Sequence, residues 1–111
     1  MAIDTIPRQF LYSVETYDKK DAFRYKQHGR YVDVSHREML EKVHMAALGL
    51  QALNLARQDR IAVISENRVE WVVADLAILS TGCINVPVYP SLPANQIEYI
   101  LADAETRAVF V

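Results

Sequence analysis

A serine near the middle of the chain is the first side chain whose type and position suggest chemistry. Ser65 lies in the segment AVISENRVEW, residues 62–71, between a short apolar run and a helical pattern. In open parallel sheets, ligands bind where strand ends meet helix N-termini, so this turn is a candidate catalytic or binding site. A nucleophilic serine at such a turn needs the pattern G-x-S-x-G, and here Val63 and Asn67 occupy the glycine positions. We therefore favour a structural turn.

Phosphate binding at the same turn is disfavoured by charge. Glu66 follows Ser65 directly and repels anions, and no glycine lets a phosphate approach the backbone. Asn67 has the spacing of an N-cap for the next helix, with Glu70 as an acidic residue at N3. The polar residues of the turn are thus explained without a ligand.

The single cysteine and the three histidines form no recognisable catalytic or metal-binding pattern. Cys83 begins an apolar run, and a buried thiol there is a poor nucleophile. His28, His36 and His44 match no compact metal-ligand spacing, and no cysteine pair or carboxylate-histidine cluster accompanies them. We expect Cys83 to be a small buried hydrophobic residue and the histidines to be surface or capping residues.

Two other groups lie near predicted strand or helix ends. Tyr89, Pro90 and Ser91 follow an apolar run where ligands bind in α/β folds, yet YPSLP is also typical of a strand-to-helix turn. Trp71 lies on a largely apolar helix, where an indole more commonly packs in the core than supports a cofactor. Residue spacing alone therefore predicts no catalytic, cofactor-binding or metal-binding residue.

The elements that position these residues fall into two parts, of which the first covers residues 1–57. Pro7 suits the first turn of a helix whose apolar residues recur at helical spacing, namely Phe10, Val14 and Tyr17. His28 and Gly29 form a tight turn between two alternating strands, which predicts a β-hairpin. A longer amphipathic helix completes this part.

Ser35 and Glu38 mark the start of that helix. They have capping-box spacing, in which the Ser hydroxyl accepts from the Glu amide and the Glu carboxylate reaches back. The apolar residues of the helix fall on one broad stripe: Met39, Leu40, Val43, Ala46, Ala47, Leu50 and Leu53. Asn54 suits a left-handed C-terminal position, which Asn tolerates better than other non-glycine residues.

The second part, residues 58–111, alternates short apolar runs with helices in the order βαβαβ. Continuous apolar strands predict a parallel sheet covered on both faces. The middle helix is apolar on nearly all sides except at Asp75, so it should be sandwiched between neighbours. Gly82 suits its C-terminal cap, Pro93 suits N1 of the last helix, and Pro87 should make the second strand irregular or end it. The predicted fold class is α/β.

The composition of the chain excludes several classes of protein. The chain has 111 residues, 51% hydrophobic and 23% charged, which suits one packed globular unit. Its formal net charge is -2 and neither sign forms a long block, so we expect no nucleic-acid partner. The sequence contains neither a secretory signal pattern nor an apolar run of roughly 18 residues, so we expect a cytoplasmic protein without a transmembrane segment.

Two segments carry a resemblance to a known family. DVSHREML, residues 33–40, and LSTGCINVPVYP, residues 79–90, resemble the first two core motifs of AMP-forming acyl-CoA synthetases, usually Thr-Tyr-x-Glu-Leu and Leu-Lys-Ala-Gly-x-x-x-Val-Pro. SENRVEW and VPVYPSLPANQIEYIL look most like the bacterial long-chain fatty acid branch. The likeness covers nearly the whole chain. His36 departs from the usual Tyr, and Asn54 and Gln58 stand where the family's helix-to-strand turn usually has glycines.

The resemblance implies a reaction for the parent enzyme. A fatty acid carboxylate attacks the α-phosphorus of ATP with Mg²⁺, giving an acyl-adenylate and pyrophosphate, and the thiol of coenzyme A then displaces AMP. The family uses a Ser/Thr/Gly-rich phosphate loop, an aromatic-Thr-Glu motif, a ribose-binding Asp and a lysine from a mobile C-terminal domain. None of these motifs occurs in these 111 residues, so no catalytic residue carries over.

We therefore expect residues 1–111 to be an incomplete N-terminal part of an adenylation domain. The fragment should be inactive alone, bind no cofactor and self-associate, while its parent is a long-chain fatty-acid-CoA ligase that can lie peripherally on membranes. The alternative is a self-contained α/β module that binds a nucleotide or a protein. A hydrolase using Ser65 or Cys83 is a third, disfavoured hypothesis.

Overall fold

A computed structural model describes residues 4–111 of the chain. Within this range the elements follow one another in the predicted order: α1 (Ile6–Tyr17), β1 (Phe23–Gln27), β2 (Arg30–Val34), α2 (His36–Ala52), β3 (Arg60–Ile64), α3 (Val69–Ser80), β4 (Ile84–Val88), α4 (Ala94–Asp103) and β5 (Thr106–Phe110). The predicted α/β class is confirmed. Among the described helices, none has both the length and the apolar character needed to cross a bilayer.

The hairpin forms because its turn residues accept positive φ. β1 and β2 pair antiparallel, with Gln27 opposite Arg30 at the turn. His28 has φ 52° and Gly29 has φ 76°, the combination that a two-residue type I′ turn requires. The predicted hairpin and its turn are confirmed.

Local capping chemistry starts α2. Ser35 Oγ accepts from the Glu38 N–H at 3.0 Å, and the Ser35 N–H donates to Glu38 Oε1 at 3.3 Å. Along the predicted stripe, Met39, Val43 and Leu50 are buried, which confirms the stripe over most of its length. The prediction was wrong for the last residue of the stripe, because Leu53 lies beyond the final helical residue and is 62% exposed. The next residue, Asn54, has φ 57°, as predicted.

The second half of the chain forms a parallel sheet of three strands in the order β4-β3-β5. Ile61 and Val63 on the central strand lie opposite Ala108 and Phe110 on β5, so these four side chains share one face. Their face packs against α2 and α3 in the main apolar cluster. Pro87 is tolerated because β4 is an edge strand, which ends one residue later.

The middle helix α3 is enclosed on several sides, as predicted. It contacts α1 and α2 on one side and β1, β3 and β4 on others, and its Leu76, Ala77 and Ile78 are buried. Gly82 follows its C-cap with φ 78°, which confirms the predicted terminator. Pro93 is the N-cap of α4 and not N1, so that prediction was wrong by one residue.

The opposite face of the sheet is covered less completely than the apolar strands suggest. α4 packs against β5, but none of its residues is buried. Ile84 and Val109, which point to this face, are 45% and 42% exposed. The division of the chain between residues 57 and 58 stays a prediction. One apolar cluster contains Val43, from before this boundary, and Ile61, from after it.

Candidate functional site

Because β3, β4 and β5 are parallel, their carboxyl ends meet at one edge of the sheet, where α/β folds bind ligands. A pocket of about 220 Å³ opens there between the start of α3 and the end of β5. We call it the strand-end pocket, and it is lined by Val63, Ser65, Arg68, Glu70, Trp71, Ala74, Phe110 and Val111. Two of the residues weighed from the sequence as possible site residues, Ser65 and Trp71, line it together with Glu70, which the sequence suggested only as a residue of the first helical turn.

Ser65 has no activating partner in this pocket. Its hydroxyl donates to the backbone carbonyl of the neighbouring Glu66 at 3.0 Å. A serine nucleophile needs a base within hydrogen-bond reach that is itself oriented by a third group. The one carboxylate in the lining belongs to Glu70, which an arginine already occupies. The interpretation of Ser65 as a turn residue agrees with this geometry.

Arg68 and Glu70 form the charged part of the strand-end pocket. Arg68 Nε donates to Glu70 Oε2 at 2.7 Å. This hydrogen bond, with a backbone hydrogen bond to the same carboxylate, lowers the pKa of Glu70 against a smaller opposing effect of burial. Because its ionised form is stabilised, Glu70 is a weak general base. Arg68 and Glu70 thus hold two opposite charges at the rim of the strand-end pocket, and neither is suited to acid-base catalysis.

The predicted N-cap of α3 was wrong. Arg68, with φ -158°, is the N-cap, α3 begins at Val69, and the N-cap side chain makes no capping hydrogen bond. Glu70 is consequently at N2 and not N3. The polar side-chain contact at the start of this helix is therefore the hydrogen bond from Arg68 to Glu70, and not a capping hydrogen bond to Asn67. The acidic residue in the first turn still complements the helix dipole, as predicted.

None of the three histidines lines this pocket. His28 in the hairpin turn and His44 on α2 are exposed, as predicted. The prediction of a surface or capping residue was wrong for His36: it is 9% exposed, and its Nδ1 accepts from the Lys19 N–H, outside any helix, at 3.0 Å. Across residues 4–111, no group of three or more His, Cys, Asp or Glu side chains could hold a metal ion.

The other candidates are structural. Cys83 is buried just before β4, at the amino end of the sheet, and its Sγ is 3.5 Å from the carbonyl of Ala56, which confirms its role as a buried hydrophobic residue. Tyr89 is 77% exposed in the turn after β4. Trp71 is half-buried and packs against the apolar cluster, as expected.

Arg68 and Phe110 in the strand-end pocket were not predicted from the sequence. Glu70 was expected only to complement the helix dipole, and its pairing with Arg68 was hidden by the interpretation of Asn67 as the N-cap. Phe110 lines the pocket because it lies opposite Val63 in the sheet, and only the register between β3 and β5 reveals that relationship. The alternation of side chains along a strand could have indicated which face of the sheet Phe110 lies on, but not which residues lie beside it.

A comparison with protein families matches residues 10–111 to the AMP-binding enzyme family. Among individual proteins, the long-chain-fatty-acid–CoA ligase FadD15 of Mycobacterium bovis is 37% identical over 82 residues, which are 74% of this chain and 14% of that protein. The mitochondrial medium-chain acyl-CoA ligase ACSF2 of Danio rerio is 30% identical over 105 residues, 95% of this chain and 17% of the relative. The chain thus spans a small part of these relatives.

Solved structures show the same fold. IdnL1 superposes with a TM-score of 0.90 at 22% identity, over 98% of this chain and 22% of its own. The N-terminal subdomain of Klebsiella oxytoca NpsA, in complex with 3-hydroxyanthranilyl-AMSN, gives a TM-score of 0.82 at 26% identity, over 94% of this chain and 26% of that chain. With the family match over residues 10–111, these similarities establish that the chain belongs to the AMP-binding enzyme family.

Proposed function

We propose that these 111 residues are the N-terminal part of the adenylation domain of a long-chain fatty-acid-CoA ligase. The observation that carries the proposal is the family match over residues 10–111, together with 37% identity to a long-chain ligase. The parent enzyme would be an acid-thiol ligase that activates a fatty acid with ATP and transfers the acyl group to coenzyme A. We propose a cytoplasmic location, with peripheral membrane association of the parent.

The residues described here would serve as a scaffold in that enzyme. The strand-end pocket contains an ion pair, a turn serine and apolar side chains. It offers no set of oxygen ligands for Mg²⁺, and its turn has no glycine that would let the phosphates of ATP approach the backbone N–H groups. Residues 4–111 also contain no cluster suited to a metal ion. ATP, Mg²⁺ and coenzyme A would therefore be bound by other parts of the parent, and the absence of cofactor binding by this chain stays a prediction.

A chimera tests the scaffold role. In the ligase FadD15 of Mycobacterium bovis, the matched segment of 82 residues is replaced by the corresponding residues of this chain. We expect the chimera to form acyl-CoA from palmitate, ATP and coenzyme A, while the 111-residue chain alone forms none. Assays with octanoate and laurate compare chain lengths, because the similar proteins include both a long-chain and a medium-chain ligase.

Two outcomes would contradict the proposal. A soluble, cooperatively unfolding chimera without ligase activity would show that this chain cannot replace the ligase segment. Acyl-CoA formation by the 111-residue chain alone would remove the scaffold role. An inactive chimera combined with tight ATP binding by the isolated chain would favour a self-contained nucleotide-binding module.

We also propose that the isolated chain self-associates. The sheet leaves β4 and β5 as free edges, and the exposed side chains at these edges include Ile84, Val109 and Val111. Sedimentation velocity over a range of protein concentrations should give a rising average mass. Replacing Val109 with lysine should lower that mass, whereas a monomer at every concentration would contradict self-association.

A further inference from the structure

An open cleft separates the hairpin from the start of α3. It has a volume of about 770 Å³, and all five residues of β1 line one wall. The other wall consists of residues 67–70 and Val72. We call this space the hairpin cleft. It is distinct from the strand-end pocket, although Arg68 and Glu70 line both.

One edge of β1 faces the hairpin cleft with unused backbone groups. In a hairpin with a two-residue turn, the residues that flank the turn exchange hydrogen bonds, and alternate residues along the strand do the same. Gln27 and Tyr25 therefore pair with β2, whereas the N–H and C=O groups of Arg24 and Lys26 point away from it. No turn or loop backbone among residues 4–111 bonds to these two residues.

The charges around the hairpin cleft are balanced except at one residue. Arg24 forms ion pairs with Asp21 at 3.2 Å and with Asp33 at 2.8 Å. Arg68 pairs with Glu70 at 2.7 Å. Lys26 lines the cleft and has no carboxylate within ion-pair distance in the described part of the chain. The free edge thus combines backbone donors and acceptors with one uncompensated positive charge.

We propose that the hairpin cleft receives an extended peptide segment that adds a strand to β1 and places a carboxylate opposite Lys26. Strand addition satisfies exposed edge groups by main-chain hydrogen bonds, and side chains supply specificity. The segment comes from the part of the adenylation domain outside these 111 residues, so the inference rests on the proposed function. Length supports this source, since the chain spans 14% of the ligase FadD15 and 26% of the NpsA subdomain chain.

A peptide array identifies the segment. Overlapping peptides that cover the FadD15 sequence of Mycobacterium bovis are probed with the labelled 111-residue chain. We expect peptides with acidic residues in a strand-like pattern, from outside the matched 82 residues, to bind. Replacing Lys26 with glutamate should weaken binding about tenfold by exchanging attraction for repulsion, and Lys26→Arg should retain it. The absence of any bound peptide, or binding unaffected by Lys26→Glu, would overturn the proposal.

Amide hydrogen exchange locates the bound peptide. With the best peptide present, exchange should slow at Arg24 and Lys26, while Tyr25 and Gln27 should be protected with or without it. Lys26→Pro removes the outward N–H without removing a hydrogen bond to β2, so this variant should retain the hairpin and lose peptide binding. Protection that appears elsewhere would overturn the assignment to β1. Ligase activity of the chimera is a separate readout, so either proposal can fail without the other.

Discussion

Lys19 and His36 exchange two hydrogen bonds at the base of the hairpin. The Lys19 N–H donates to His36 Nδ1 at 3.0 Å, and the His36 N–H donates to the Lys19 carbonyl at 2.9 Å. The adjacent residues reinforce the connection, because Arg37 Nε donates to Asp18 Oδ1 at 3.2 Å. The pair therefore closes the loop that contains the whole hairpin and ties the end of α1 to the start of α2.

Replacing His36 with alanine should lower the free energy of unfolding by about 1–3 kcal/mol, because the Lys19 N–H loses its acceptor in a partly buried position. Urea denaturation monitored by circular dichroism measures the change. His44→Ala is the matched control, since His44 is exposed on the same helix, and its effect should stay within about 0.5 kcal/mol. Equal losses in the two variants would show that the contact with Lys19 contributes nothing.

A second polar contact joins α3 to the edge strand β4. Asn85 Nδ2 donates to Asp75 Oδ1 at 2.7 Å, while Asn85 Oδ1 is buried without a partner among the described residues. Asp75→Ala should cost about 1–3 kcal/mol of unfolding free energy, because the Asn85 amide then loses its remaining partner. Chemical denaturation measures this loss.

A double-mutant cycle separates the contact from other effects of Asp75. The variant with both Asp75→Ala and Asn85→Ala should lose less stability than the two single variants summed, with a coupling free energy of about 0.5–3 kcal/mol. Strict additivity would mean that the hydrogen bond observed between α3 and β4 makes no net contribution.

Features governed by neighbouring residues were predictable from the sequence. The capping box of Ser35 and Glu38 and the turn at His28 and Gly29 depend on residues within four positions of one another, and both are confirmed. The order of strands and helices after Arg60 followed from apolar periodicity. Such patterns are local, so one sequence contains the information they need.

Features that depend on distant partners were not predictable in the same way. The burial of His36 requires Lys19, 17 positions earlier, and helix periodicity does not indicate that contact. The strand-end pocket requires the register that places Phe110 opposite Val63. The start of α3 was misassigned because Asn is a better cap than Arg on average, whereas here the chain places Arg68 at the N-cap. Tertiary contacts decided the first two features, whereas nothing in the structure explains why Arg68 and not Asn67 is the N-cap.

Gln58 provides a test of backbone strain. It has φ 70°, a left-handed conformation that costs a side chain with a Cβ roughly 1–2 kcal/mol, and its N–H donates to the Gly82 carbonyl at 2.8 Å. Gln58→Gly should therefore raise the melting temperature and stabilise the fold by about 1 kcal/mol, because glycine accepts positive φ and the backbone hydrogen bond remains.

The control for this prediction is the same substitution in a helix. Gln51→Gly on the exposed side of α2 should destabilise the chain by about 0.5–1 kcal/mol, since glycine there gains no relief of strain and loses more conformational entropy on folding. If both glycine variants lowered the melting temperature, the positive φ at Gln58 would not be a source of strain.

Glu70 should make the stability of the chain depend on pH in the acidic range. The hydrogen bond from Arg68 holds the folded-state pKa of Glu70 below its ordinary value of 4.5. A group with a depressed folded-state pKa stabilises the fold above its unfolded pKa, and this contribution is lost as pH falls through the folded value. Because both side chains are largely exposed, with 61% and 70% accessibility, the contribution should be at most about 1 kcal/mol. Glu70→Gln should thus be less stable than the unmodified chain at neutral pH, and the difference should shrink well below pH 4.5.

The partner of Glu70 supplies the decisive comparison. Thermal melts across this pH range should show a smaller pH-dependent effect of Glu70→Gln once Arg68 is also replaced by glutamine, because the largest cause of the lowered pKa is then absent. A difference of undiminished size in the Arg68→Gln background would assign the pH dependence to the backbone hydrogen bond at the start of α3 and the charge of Lys42, and not to the ion pair. In that case the rim of the strand-end pocket would keep its negative charge without the arginine, and Arg68 would be free to contact another group.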